Sequence, residues 1–383
     1  MPGYRARWRL LIAAVLALVS CLALSCIGRP QPGAAPTSSS LTTVSAFPSA
    51  SAHRAPDYSA MKQQLKRRLA GDDWSVKAVR AVLVSVDGQT VLSYYRERRP
   101  TDYAHVWSVT KSVMSILVGI AIDEGRLRLD QTLADLLPQH ADRMSDDVRS
   151  VTLRQLLTMT SGMQGGYSSL EIGAQDPIGQ LVSAAFVAEP GATFVYSNAT
   201  AHLVGAVLRR AVDRPLLDYA REKLFDPLGI DTRPAWQGWN VEVGLSKPGF
   251  AWATDREGTN SGCCGLKLTA PDMLKIGQLY LDNGRWQGRQ LVSRHWVKDS
   301  TTNQLSNDQQ SATDGPYGYL WWIGDIQSHP YFAAFGSHGQ QIIVVPDSGL
   351  IVVTICDESG FDSPTEEFRS TFDDVIFTPI LQA

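Results

Sequence analysis

The stretch His105-Val106-Trp107-Ser108-Val109-Thr110-Lys111-Ser112-Val113-Met114 sets a hydroxyl and an amine three residues apart at the start of an apolar run. In a helix, residues three apart are neighbours on one face. A helix beginning near Ser108 would place its Oγ among unpaired first-turn N–H groups, at the dipole end that favours negative charge developing on an attacked carbonyl. A serine hydroxyl is a poor nucleophile until its proton is taken, and a lysine whose pKa is lowered by burial or a neighbouring cation can take it. Taken alone, Ser-x-x-Lys is a weak pattern, and Ser59-Ala60-Met61-Lys62 repeats it at the edge of a polar segment with no companion motif. Ser108 and Lys111 draw their weight from the rest of the chain.

Beyond Lys111, Val113, Met114, Leu117, Ile120 and Ala121 make an apolar stripe that Gly125 ends, which predicts a buried helix. Upstream, Met61, Leu65 and Leu69 fall at spacings of four and predict an amphipathic helix over Asp57 to Leu69. Residues 78–86 and 90–95 read as strands joined through Asp87-Gly88-Gln89. From Leu129 to about Pro234 the pattern is helical with long loops, with Thr152 as an N-cap for Leu153 to Met159 and an amphipathic helix over Ala199 to Val212. Strand signals return at 317–323, 331–335, 341–345 and 350–355, the last two parted by Pro346-Asp347-Ser348-Gly349, and a helix near Phe368 to Phe377 follows. This order predicts an α/β fold: an antiparallel sheet flanked by helices and built from both chain ends, with a mainly helical lobe, roughly residues 130–255, inserted. A cleft between lobes is a common place for a site.

The 383 residues, 44 % hydrophobic and 19 % charged, suffice for a large core. A net charge of −3 without a basic run argues against a nucleic-acid partner. Arg5, Arg7 and Arg9 precede an apolar run from Leu10 to Val19 that is short for a membrane span, as in an export signal over residues 1–20. Leu18-Val19-Ser20-Cys21 resembles a lipoprotein lipobox, with Cys21 as the lipidated residue; Ala23-Leu24-Ser25-Cys26 matches less well, and an ordinary cleaved signal or a short anchor is the alternative. Residues 21–56, rich in Pro, Ser, Ala and Thr, read as a flexible tether ahead of a hydrolase domain over 57–383. The expectation is an exported protein in the cell envelope, lipid-anchored to the outer face of the cytoplasmic membrane or to the periplasmic side. Cys263, Cys264 and Cys356 remain, with no metal-ligand spacing.

Further matches carry a family resemblance: Gly119 to Gly125, Leu156-Leu157-Thr158-Met159-Thr160-Ser161-Gly162-Met163, Glu189-Pro190-Gly191 before Phe194-Val195-Tyr196-Ser197-Asn198, Asp226-Pro227-Leu228-Gly229, and Tyr317-Gly318-Tyr319-Leu320-Trp321-Trp322. Over roughly residues 75–360 the chain resembles the serine β-lactamase and penicillin-binding-protein superfamily, in the branch holding class C β-lactamases, family VIII esterases and nylon-oligomer hydrolases. The doubled tryptophan is most similar to the last of these. The resemblance implies Ser108 as nucleophile, with Lys111 and Tyr196 moving its proton and no metal or cofactor.

A phenol beside that serine and lysine can shuttle a proton to a leaving group. Asn198 would orient Lys111 or the substrate; the alternatives are a core tyrosine and an Asn-Ala-Thr glycosylation sequon. For the third family motif, Lys-Thr-Gly or His-x-Gly on a strand edging the site, Phe335-Gly336-Ser337-His338-Gly339-Gln340-Gln341 offers two registers. Spacing to Pro346 favours Ser337-His338-Gly339, with His338 a candidate participant, Gly339 allowing close backbone approach, and the N–H of Gln340, or of a residue beside it, as second oxyanion donor. Ser337 in place of a cation weakens the case for a substrate carboxylate. Tyr167, on a predicted loop over the cleft, is a further candidate from the nylon-hydrolase resemblance. Of Trp321 and Trp322, one is expected in the core and one along the cleft. Cys264 reads as a buried structural thiol.

These residues predict a serine hydrolase of an ester or amide on a small molecule or peptide. A DD-peptidase or β-lactamase, and a catalytically silent envelope binding protein, are the alternatives. Substrate and oligomeric state are not legible in the sequence.

Overall fold

The computed structural model describes residues 57–163, 174–310, 315–357 and 366–382. Tyr167, Cys21 and Cys26 lie outside the described residues. No helix among the described residues is long and apolar enough to cross a membrane.

Six strands form one antiparallel sheet: β1 (Val79–Val86), β2 (Gln89–Tyr95), β3 (Trp322–Ile326), β4 (His329–Gly336), β5 (Gln340–Val345) and β6 (Leu350–Cys356), in the order β2-β1-β6-β5-β4-β3. The β1–β6 pairing, with Val82 opposite Thr354, joins the two ends of the domain. The helices that frame the site are α1 (Tyr58–Leu69), α2 (Val109–Asp123), α3 (Leu153–Leu157), α4 (Asn198–Val212), α5 (Ala270–Leu281) and α6 (Glu366–Phe372).

Both sheet faces are covered. Ala81, Leu83, Ile351 and Val353 point into the core shared with α2, α4 and α5. Val82, Val84 and Val352 point the other way, against Met61, Leu65 and Leu69 of α1 and Phe368 and Phe372 of α6. A sheet buried on both sides reads as near-continuous apolar runs rather than alternation. Burying each such side chain contributes about 1.5–3 kcal/mol.

Helix α2 is buried on every side from Val109 to Ala121, as a helix apolar all round must be. Its Ser112 Oγ donates to the Leu320 carbonyl at 2.8 Å. Thr152 caps α3 in a capping box with Gln155, as the sequence predicts. The first hairpin turns on two left-handed residues, Asp87 (φ 49°) and Gly88 (φ 76°), so Gln89 already belongs to β2.

One strand is shorter than its aromatic run suggests. β3 starts at Trp322, and Tyr317 to Trp321 fold into a tight turn in which the Gly318 N–H donates to the Trp321 carbonyl at 2.8 Å. Trp321 sinks between Tyr280 and Phe332, with ring centroids 4.6 and 5.4 Å away, so packing rather than alternation explains the apolar run. Trp322 faces the cleft.

Candidate active site

Ser108 is the N-cap of α2, yet its side chain caps nothing. The N–H groups of Val109, Thr110 and Lys111 donate instead to the carbonyls of Val106, Trp107 and Ser108 at 3.0–3.1 Å. This tight first turn corrects the expectation of unpaired N–H groups around Oγ. It also releases the hydroxyl, which accepts a hydrogen bond from Lys111 Nζ at 2.9 Å. Trp107, just before Ser108, takes a left-handed conformation (φ 49°) that turns the chain into the helix.

Lys111 is 1 % exposed and donates also to Asn198 Oδ1 at 2.7 Å and to the Cys263 carbonyl at 3.1 Å. Those two oxygens can only accept; Ser108 Oγ can accept or donate. Burial pulls the lysine pKa down, but the Tyr196 phenol and the Cys263 and Cys264 thiols outweigh it and raise the pKa above its ordinary value. The Ser-x-x-Lys reading calls for a lowered lysine pKa, and these neighbours push it the other way.

Tyr196 and Asn198 arrive together from the helical lobe. The Val195 N–H donates to the Met159 carbonyl at 2.8 Å, and Ser197 caps α4 by accepting from the Thr200 N–H at 3.1 Å. Asn198 is thus the first residue of α4, at the height of Lys111. The Tyr196 ring lies 4.7 Å from Lys111 Nζ and stacks on Trp322, centroids 5.6 Å apart at 27°. Phe194 and Tyr317 pack behind them.

The third motif sits differently from its predicted register. Ser337-His338-Gly339 is the turn between β4 and β5, closed by the Gly336–Gln340 pair, with His338 (φ 63°) and Gly339 (φ 83°) both left-handed. The strand segment that meets the helix start is Phe335-Gly336; a Cβ on Gly336 would collide with the Val106 carbonyl oxygen. Ser337 and Gly339 line the cleft. Gln340 does not: it is wholly buried, its amide bonded to the Cys356 backbone at 2.9 and 3.2 Å. His338 stands outside the cleft wall, its ring 5.0 Å from that of Trp107.

The cleft holds about 390 Å³ and is lined by Ser108, Tyr196, Trp322, Tyr331, Phe335 and Ser337 among others. No described residue lining it is charged.

The family model described as Beta-lactamase matches residues 76–372. The chain belongs to the beta-lactamase family. Penicillin-binding protein 4 of Amycolatopsis lactamdurans is 27 % identical over 273 residues, covering 65 % of this chain and 70 % of that protein. The 6-aminohexanoate-dimer hydrolase of Paenarthrobacter ureafaciens is 22 % identical over 303 residues, covering 72 % and 71 %. A solved penicillin-binding protein homologue from Caulobacter crescentus shares the fold with a TM-score of 0.66 at 18 % identity, covering 85 % of this chain and 98 % of its own. The protein is a hydrolase of the beta-lactamase fold.

Two contributors to this beta-lactamase-family site escaped the sequence reading. The Cys263 carbonyl comes from a segment pressed onto α4, where a Cβ on Gly262 would overlap the Ala201 carbonyl oxygen. That segment is anchored by a wholly buried pair, His202 Nε2 and Asp255 Oδ2 at 3.0 Å, and by Asp255 Oδ1 accepting from the Thr259 N–H at 2.8 Å. Cys264, expected to be buried, is only half-buried.

Proposed function

We propose that this protein cleaves an ester or amide with a neutral, apolar acyl group through an acyl-enzyme on Ser108. The observation that carries the proposal is the 2.9 Å contact between Ser108 Oγ and Lys111 Nζ at the wall of an aromatic cleft with no charged residue in its lining among the described residues. Ser108 attacks the carbonyl and passes its proton to Tyr196 acting as its phenolate, with the Lys111 ammonium beside it balancing that charge before the transfer. The N–H groups of Ser108 and Ser337 receive the oxyanion. Tyr196 protonates the leaving group, and the same groups acting in reverse let water release the acyl chain. Trp322, Tyr331 and Phe335 hold that chain by burial of apolar surface.

The test sets p-nitrophenyl esters of increasing chain length against a chromogenic cephalosporin and a D-Ala-D-Ala peptide. Ester turnover that rises with acyl length, and its loss in Ser108→Ala together with labelling by a serine-reactive phosphonate, is the expected result. Labelling that persists in Ser108→Ala would overturn the mechanism. Stable acylation by a labelled penicillin would favour a DD-peptidase or β-lactamase instead.

For its location we propose export with lipid on Cys21, supported by the Arg5-Arg7-Arg9 run, the apolar stretch after it and the lipobox-like Leu18-Val19-Ser20-Cys21. Loss of detergent-phase partition in Cys21→Ala is the outcome expected.

A further inference from the structure

We propose that Cys263 and Cys264 form a modification site, a vicinal dithiol that closes to a disulfide and in closing withdraws the carbonyl that holds Lys111. Their sulfurs lie 2.9 Å apart and converge on Ser261 Oγ at 3.3 and 3.8 Å, so two neighbouring side chains share one side of the backbone. Cys264 is the less buried of the two, so a reagent meets it first and leaves Cys263 as its partner. The thiols are unequal: the hydrogen bond from Cys263 and the nearby Lys111 hold Cys264 below its ordinary pKa, while the same bond and burial hold Cys263 above it.

The carbonyl that accepts from Lys111 Nζ at 3.1 Å belongs to the peptide bond joining these two cysteines. An unstrained disulfide spans Cα atoms about 4.4–6.8 Å apart, whereas a trans peptide sets neighbouring Cα atoms about 3.8 Å apart. The ring therefore closes only if that peptide turns out of its ordinary geometry. The flanking residues cannot absorb the turn: Gly262 is pressed against the Ala201 carbonyl, and the Gly265 N–H donates to His105 Nε2 at 2.9 Å. The displacement falls on the Lys111 acceptor. Strained disulfides are also the readily reduced ones, which makes the change reversible.

A small-molecule disulfide supplies the oxidant. The Cys264 thiolate attacks one of its sulfurs, forming a mixed disulfide and releasing one thiolate. Cys263 gives up its proton to that thiolate, and its sulfur attacks Cys264 Sγ, expelling the second thiolate, which takes a proton from water. Two protein thiols are oxidised and one small disulfide is reduced to two thiols.

The effect on hydrolysis rests on the proposed roles of Ser108 and Lys111; ring formation does not. The whole protein is incubated with oxidised glutathione or with a reductant, and the peptide spanning 263–264 is weighed while phosphonate labelling of Ser108 is timed. The expected result is a peptide lighter by two hydrogens and labelling slowed about tenfold or more, both reversed by reductant. Cys264→Ser and Cys263→Ser, each compared with itself under the two conditions, should show neither response, and Cys356→Ser should show both. A stable glutathione adduct, unmodified cysteines, or a closed ring that labels at the reduced rate would overturn the proposal. Reduced protein that takes no label would count against the serine reading, while the peptide mass still decides whether the ring forms.

Discussion

Asn198 Oδ1 accepts from Lys111 Nζ at 2.7 Å, the shortest of the three hydrogen bonds that fix the ammonium. Because an amide oxygen only accepts, it takes one of the three ammonium hydrogens and so points the lysine. Asn198→Ala should leave a buried donor unsatisfied, cost about 1–3 kcal/mol of stability, and slow phosphonate labelling of Ser108 about 10–100-fold. Asn198→Asp keeps an acceptor and should retain more of the rate. Wild-type labelling by the alanine variant would remove Asn198 from the site's machinery.

Tyr196→Phe keeps the ring that stacks on Trp322 and deletes only the oxygen. Its melting temperature should match the wild type, while kcat for ester hydrolysis falls about 10²–10⁴-fold, the usual worth of a positioned acid-base group. A variant that unfolds earlier and keeps its kcat would mean the tyrosine is structural.

Gly336 has an unremarkable φ of −116°, so its smallness answers a demand for space. The Val106 carbonyl occupies the room a methyl group would need. Gly336→Ala should push β4 away from the start of α2, costing about 1–3 kcal/mol, and lower kcat more than it raises KM. Urea unfolding and steady-state kinetics on the same preparation would show whether stability and turnover fall together.

His105 is buried 160 positions before its partner Gly265, and burial first, then the charges of Lys267 and His338, hold its pKa at about 3. The unfolded chain takes up this proton below about pH 6.5, whereas the folded one refuses it until near 3. This contribution to stability is complete above about pH 6.5 and falls by about 1.4 kcal/mol per unit as the pH drops towards 3. His105→Gln should flatten the acid side of the stability curve by about one proton. Parallel curves for the two proteins, from denaturant midpoints between pH 4 and 7, would contradict the assignment.

Much of this was legible locally. Ser108 and Lys111 share a helix face by spacing alone, Thr152 announces its cap, and the apolar runs of β1, β5 and β6 match strands buried on both faces. What stayed hidden depends on contacts between distant segments. Every residue has a carbonyl, so nothing in the sequence marks that of Cys263 as a ligand of Lys111. His202 and Asp255 meet across 53 positions. The register of the third motif turns on a left-handed histidine, a conformation that glycine would have signalled and His338 does not. The charge on Lys111 is set by its neighbours, so its spacing from Ser108 could not reveal it.

The bonds around α2 reach across 87 positions to Asn198, 152 to Cys263 and 208 to Leu320. A serine–lysine pair on a helix tied to three remote parts of the chain keeps its geometry only when all of them are in place. Catalysis is therefore a sensor of global folding: turnover should vanish in step with the loss of the sheet, and neither half of a nicked chain should hydrolyse substrate alone.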